Sequence, residues 1–162
     1  MKLPNDFLGC VSLVFKDEGG YVNDPSDRGG ETKFGISKRA YPDENIKELT
    51  YERARELYKR DYWDTAHCDQ VPDEIKYIHF DSAINMGVRM AVKLLQRSGG
   101  IVDDGMWGKD TLAASKNVTL DRYASERILQ YEDLVKQRPM NEKFIKGWKN
   151  RVNRIITLSK EV

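Results

Sequence analysis

A chain of 162 residues with 40% apolar and 33% charged side chains is long enough for one compact domain and marginal for two. Three Trp, eight Tyr and five Phe supply too much buriable surface for a disordered chain, and a core of this size needs neither disulfide nor metal. Net charge is only +1, and the longest nearly apolar run, Leu8 to Phe15, is far short of the roughly 20 residues that span a bilayer.

In chain order, the first residues lack the basic-then-apolar pattern of a signal peptide. Asn5 and Asp6 can cap a helix whose apolar positions Phe7, Val11, Val14 and Phe15 recur at helical spacing. The pair Gly19-Gly20 should end it, with Glu18 on its last turn. Five of the twelve glycines fall between Gly19 and Gly35, among turn residues such as Asn23-Asp24-Pro25 and Asp27-Arg28. The β-prone pieces Tyr21-Val22 and Thr32-Lys33-Phe34 on either side predict a small irregular hairpin.

Helical spacing is then expected to resume and last to the end. Thr50 can cap a helix carrying Ala54, Leu57, Tyr58 and Tyr62. Pro72-Asp73 opens a second, with Ile75, Ile78, Ser82 and Met86 on one face and Gly87 near its end. Val88, Ala91, Val92 and Leu95 form a further stripe, closed by Gly99-Gly100. Asp103-Asp104-Gly105 reads as a tight turn, with Gly105 and Gly108 as turn residues, and Thr111 to Ser115 as a short helix. Asp121 to Arg138 is helical until Pro139, and Phe144, Trp148, Val152 and Ile155 line the last helix. The sum is a mainly α fold: a helical globule of two lobes, with one small irregular β-hairpin near the N-terminus.

Two cysteines, Cys10 and Cys68, make no disulfide framework and no zinc motif, and with only His67 and His79 beside them no metal site is expected. No cofactor is implied. Charge is unevenly spread: from Lys136 to Lys160 eight basic residues stand against Glu142 alone, whereas residues 1–135 carry 19 basic and 24 acidic groups. Such a basic helix suits either a solvated face or a polyanion such as an anionic wall polymer; the acidic remainder argues against nucleic acid.

The densest chemistry lies between Glu18 and Ile36. A carboxylic acid ending an apolar helix is partly desolvated and faces the negative end of the helix dipole, and both favour its neutral form. Glu18 is therefore a candidate general acid, and the loop beside it offers Asp24, Asp27 and Glu31 as second carboxylates and Thr32 as a hydroxyl. Cleaving a glycosidic bond needs such a pair, although a capped helix followed by an acidic turn would look the same. Tyr21 either stacks on a sugar or packs over the hairpin. Asn85 either hydrogen-bonds an N-acetyl group or caps the helix ending near Gly87. Trp107 and Trp148 are taken as core aromatics.

The run Glu18-Gly-Gly-Tyr21, then Asp27-Arg-Gly-Gly-Glu-Thr32 and Phe34-Gly-Ile36, resembles the muramidases of glycoside hydrolase family 108. Asp81-Ser-Ala-Ile-Asn85-Met-Gly87, the Ala91 to Gln96 stretch, Asp104-Gly-Met-Trp-Gly-Lys-Asp-Thr111 and Gly147-Trp-Lys-Asn-Arg151 are similar to the peptidoglycan-binding module that accompanies them. Together these blocks cover roughly residues 7 to 155. The family's signature glutamate falls on Glu18. T-even phage lysozymes space Glu, eight residues, Asp or Cys, five residues, Thr; this chain has Glu18, eight residues, Asp27, four residues, Thr32. The missing residue bears on Thr32, since one position in a hairpin turns a side chain to the other face.

The resemblance implies a lysozyme-like fold with a catalytic lobe over 1–87 and a peptidoglycan-binding-like lobe over 88–162, packed as one globule. It implies hydrolysis of the β-1,4 bond from N-acetylmuramic acid to N-acetylglucosamine. Glu18 would protonate the leaving oxygen, Asp27 would steady the developing positive charge or orient water, Thr32 would hold that water, and Tyr21 and Asn85 would contact the sugar. The expected partner is the peptidoglycan glycan strand, met by a monomer of endolysin type, made in a bacterial cytoplasm and reaching the wall through a holin lesion. A lytic transglycosylase, or a wall-binding or secretion-assisting protein without activity on the same fold, are the alternatives.

Overall fold

The computed structural model describes residues 2–17, 20–26 and 29–161, and it is mainly α with one small sheet near its start. Helix α1 (Phe7–Asp17) opens at Asp6, whose carboxylate accepts the Gly9 N–H, and buries Cys10, Val11, Val14 and Phe15. The sheet follows in the order β1 (Val22–Asn23), β2 (Glu31–Lys33) and β3 (Ile36–Ser37), all antiparallel. The third strand was not expected. Phe34 and Gly35, with φ of 52° and 74°, turn the chain back at once, and Ile36 is drawn into the core. Helical structure therefore resumes only at Tyr51, after turns that anchor Ile46 and Leu49 in the core.

Thr50 caps α2 (Tyr51–Tyr58) by accepting from the Arg53 N–H at 3.1 Å, and the helix runs on as a π-helical stretch, Lys59–Asp64. Trp63, on that stretch, packs edge-on against Phe7 and Phe80. Helix α3 (Asp73–Met86) crosses the centre of the molecule, buried from Ile75 to Ala83 save for the half-buried Lys76, and Gly87 at φ 94° turns it into α4 (Val88–Ser98).

The stretch before α5 (Lys109–Ser115) is held by one buried glutamine. Gln96 donates to Asp104 Oδ1, Met106 O and Thr111 Oγ1, all at 3.0 Å, and accepts the Gly105 N–H at 2.9 Å. The Asp-Gly-x-x-Gly-x-x-Thr pattern is thus a fastened turn, with φ of 76° at Gly105. Gly108 differs from expectation: its φ of −160° is extended backbone and requires no glycine. Trp107 stacks on His67 at 4.5 Å and ties this turn to the first half of the chain. Helix α6 (Leu120–Gln137), capped by Thr119, and α7 (Glu142–Lys160) complete the globule. On α7 Val152 and Ile155 are buried, whereas Phe144, expected on the same face, is exposed. No helix among the described residues is long and apolar enough to cross a membrane.

Candidate active site

Glu18 and Asp27 lie outside the described residues, so the site is built from the described residues that precede and follow them in the chain. Adjacent side chains near the end of α1 diverge. Phe15 meets Phe34 of the sheet at 5.5 Å and Tyr51 and Tyr58 of α2 at 5.1 Å each. Val14 instead borders a crevice with Tyr77 and Asp81 of α3 and Arg151, Arg154 and Ile155 of α7. The Tyr58 hydroxyl donates to the Phe34 carbonyl at 2.8 Å, which pins the β2–β3 turn to α2. The end of α1 is therefore held between the sheet and the α3–α7 pair.

Thr32 sits in the central strand, paired across to Val22 and Ser37, so the three side chains share one face. It is half-buried, and its hydroxyl has no side-chain hydrogen bond among the described residues. Asp24 accepts from Ser26 N and Oγ at 2.9 and 2.7 Å, and those bonds hold it below the usual carboxylate range. The Tyr21 phenol is held above its ordinary range, by desolvation first and by the neighbouring Glu31 carboxylate second. Tyr21 is 37% exposed.

Behind Val14 lies a buried ionic network that the helical stripes gave no reason to join. Asp81 (2% exposed) receives both Arg151 Nε and Nη2, the latter at 2.7 Å, and Arg127 Nη1 at 2.8 Å. Burial alone would lift the Asp81 carboxyl; Arg127 and Arg151 outweigh it and keep the group ionised. Arg127, fully buried, passes the network on: its Nε donates to the Tyr131 hydroxyl at 3.0 Å, which donates to Asn85 Oδ1 at 2.5 Å. Arg127 Nη2 alone among the described buried side-chain atoms lacks a partner. The signal for this network was a lone Arg and a lone Asp on otherwise apolar helix faces, since a charge there must find its opposite.

Asn85 is exposed at the last turn of α3 and does not cap it; the Gly87 N–H bonds to Ala83 O instead. It borders a cavity with Met86, Met90, Gln130, Tyr131, Leu134 and Trp148. Trp148 is half-buried, stacked on Tyr131 at 5.0 Å and on Phe144 at 5.8 Å. Cys10 and Cys68 are free, buried thiols, and burial pushes Cys10 up to about 12, so both remain protonated. No group of three His, Cys, Asp or Glu residues suited to a metal comes together among the described residues.

The chain matches two family models end to end: that of glycosyl hydrolase 108 over residues 11–87, and that of a predicted peptidoglycan domain over residues 90–153. The solved structure of SagA from Brucella abortus is 33% identical, with a TM-score of 0.79 over 96% of each chain. No curated protein matches.

Proposed function

From the premise that this chain belongs to glycosyl hydrolase family 108, and is a glycoside hydrolase acting on peptidoglycan, we propose that it cuts the β-1,4 bond between N-acetylmuramic acid and N-acetylglucosamine, as an endolysin does. The observation that carries this reading is the placing of α1. The helix leads towards a sheet fixed by Tyr58 and Phe15, whose central strand carries Thr32, while Asp24 is already bonded to Ser26. Of the loop carboxylates we assign catalysis to Glu18, the acid of the Glu-Gly-Gly-Tyr run, and to Asp27, nine positions further on.

Glu18 protonates the glycosidic oxygen, Asp27 stabilises the sugar cation or orients water, and the Thr32 hydroxyl holds that water on the face it shares with Val22 and Ser37. Tyr21 contacts the sugar from the rim. The 1–87 lobe cuts, and the 88–162 lobe closes the cleft and contributes to glycan binding. Mass spectrometry of fragments released from purified peptidoglycan tests the reading: ends in reducible N-acetylmuramic acid support it, and 1,6-anhydro ends would make the protein a transglycosylase. Glu18→Gln should lower turnover by about a thousandfold, within the range general acids contribute, with the thermal midpoint unchanged. A folded variant with full turnover would remove Glu18 from the mechanism.

A further inference from the structure

The start of α1 and the loop that follows its end are separated by 11 helical residues, about 16 Å. Beside the start lies a 490 Å³ pocket, of a size that holds small ligands, which the cleavage step does not use. Its walls come from four parts of the chain: the residues before α1, the first turns of α3 and α6, and the last turn of α7. Two bonds brace them, Asn5 Nδ2 donating to Asp73 Oδ2 at 3.3 Å and the Leu120 N–H to Glu74 Oε1 at 3.2 Å, so the pocket is preformed. Lys2, Leu3, Asn5, Ser159 and Lys160 lie outside both stretches that match family models, so neither match accounts for it.

Two of its acids are engaged: Asp73 and Glu74 hold the bonds just named, and Asp73 also pairs with Lys76 at 3.1 Å. Lys2, Lys160 and Asp121 line the same pocket, yet none makes an ion pair or side-chain hydrogen bond among the described residues. Cations and an anion that share a pocket without pairing suit a ligand that carries both signs apart. Leu3 and the buried Leu120 add apolar surface.

We propose that this pocket docks the peptide arm of peptidoglycan, with the ammonium of its diamino residue on Asp121, its terminal carboxylate on Lys2 and Lys160, and its alanine methyls on Leu3 and Leu120. The assignment rests on the peptidoglycan-cleaving reading and names the part of that substrate held away from the cut bond. A glycan strand whose lactyl carboxyls are amide-linked to the arms is neutral and would leave all three charges unmet. A polyanion would meet Asp73, Glu74 and Asp121, and a polycation Lys2 and Lys160. Arms recur along the polymer, so holding one keeps the glycan near the loop and raises its effective concentration there.

Calorimetry on the whole chain tests this with the synthetic arm alanyl-γ-glutamyl-lysyl-alanine, and with forms acetylated at the lysine amine or amidated at the C-terminus. The wild type should bind the free arm, and either block should weaken binding about tenfold, the scale of a hydrogen bond to a charged group. Asp121→Asn should weaken the free arm by the same factor and leave binding of the acetylated arm unchanged. Lys2→Gln with Lys160→Gln should behave likewise towards the C-terminal block. All three side chains are exposed, so thermal midpoints should stay as they were; should Asp121→Asn fail to fold, the lysine pair carries the test. No saturable binding, equal binding of blocked and free arms, or folded variants with wild-type affinity would each overturn the proposal. Tighter binding of the acetylated arm than of the free one would assign the pocket to a polyanion and overturn it too. A protein that releases reducible N-acetylmuramic acid ends but binds no arm would lose the docking pocket alone. One that binds the arm yet releases anhydro ends would keep the pocket and lose the muramidase reading.

Discussion

Protonating His79 would place a charge where no solvent reaches, for the ring is 0% exposed. Its Nε2 faces the Ala66 carbonyl at 2.8 Å and must be the donor there, so Nδ1 accepts from the Tyr123 hydroxyl, also at 2.8 Å. Burial lowers its pKa to about 4, against 6.5 when unfolded. The unfolded chain therefore binds more protons between those values, and stability, complete above pH 6.5, falls as pH drops towards 4, by roughly 3 kcal/mol in all. Denaturant melts at pH 7.5 and 4.5 should show most of that loss in the wild type and little of it in His79→Gln; an equal loss in both would assign the slope to another group. Asp81 acts lower on the scale. Its folded pKa is depressed, so its contribution is present above the unfolded value and lost only as pH falls below the ordinary carboxylate range. Asp81→Asn at pH 7 should cost about 3–5 kcal/mol, because it strands the fully buried Arg127, whereas Arg151, part-exposed, can turn to water.

The sheet has only seven strand residues and depends on its fastenings for order. Tyr58→Phe keeps the ring packing on Phe15 but leaves the Phe34 carbonyl without its donor, so the loss should be local, about 1–2 kcal/mol. Hydrogen exchange at the amides of the β2–β3 pairing should quicken roughly tenfold or more, while those of α3 stay as they were. Uniform quickening throughout would show that the bond supports the whole molecule instead. The helices were legible because each advertises itself locally: Thr50 caps α2, Gly87 ends α3, and the turn before α5 shows Asp104-Gly105. The third strand was not, because Ile36-Ser37 is two residues long and is made by partners on β2 rather than by any pattern of its own. The site divides likewise. Asn85 stood out as a candidate, but its orientation depends on Tyr131, 46 positions away.

Across the whole molecule, α7 has two sides with different work. Its inner side returns to the first half of the chain through Arg151 and Asp81, and Val152 and Ile155 join the common core, so the stretches matching two family models share one interior. Its outer side presents Lys143, Lys146 and Lys160 to solvent, and Lys149 pairs with Glu132. A cationic face of that kind raises the local concentration of a polyanionic wall only while its field extends into solvent. The Debye length shrinks from about 30 Å at 0.01 M salt to about 8 Å at 0.15 M, so lysis of whole walls should slow severalfold over that interval, and cleavage of a short soluble glycan should not. Replacing Lys143 and Lys146 together by Glu should flatten the salt dependence without altering the rate on the soluble glycan, since both are exposed and neither is assigned a part in cleavage. A wild-type rate on walls that ignores salt would mean that the cations of α7 serve solvation alone.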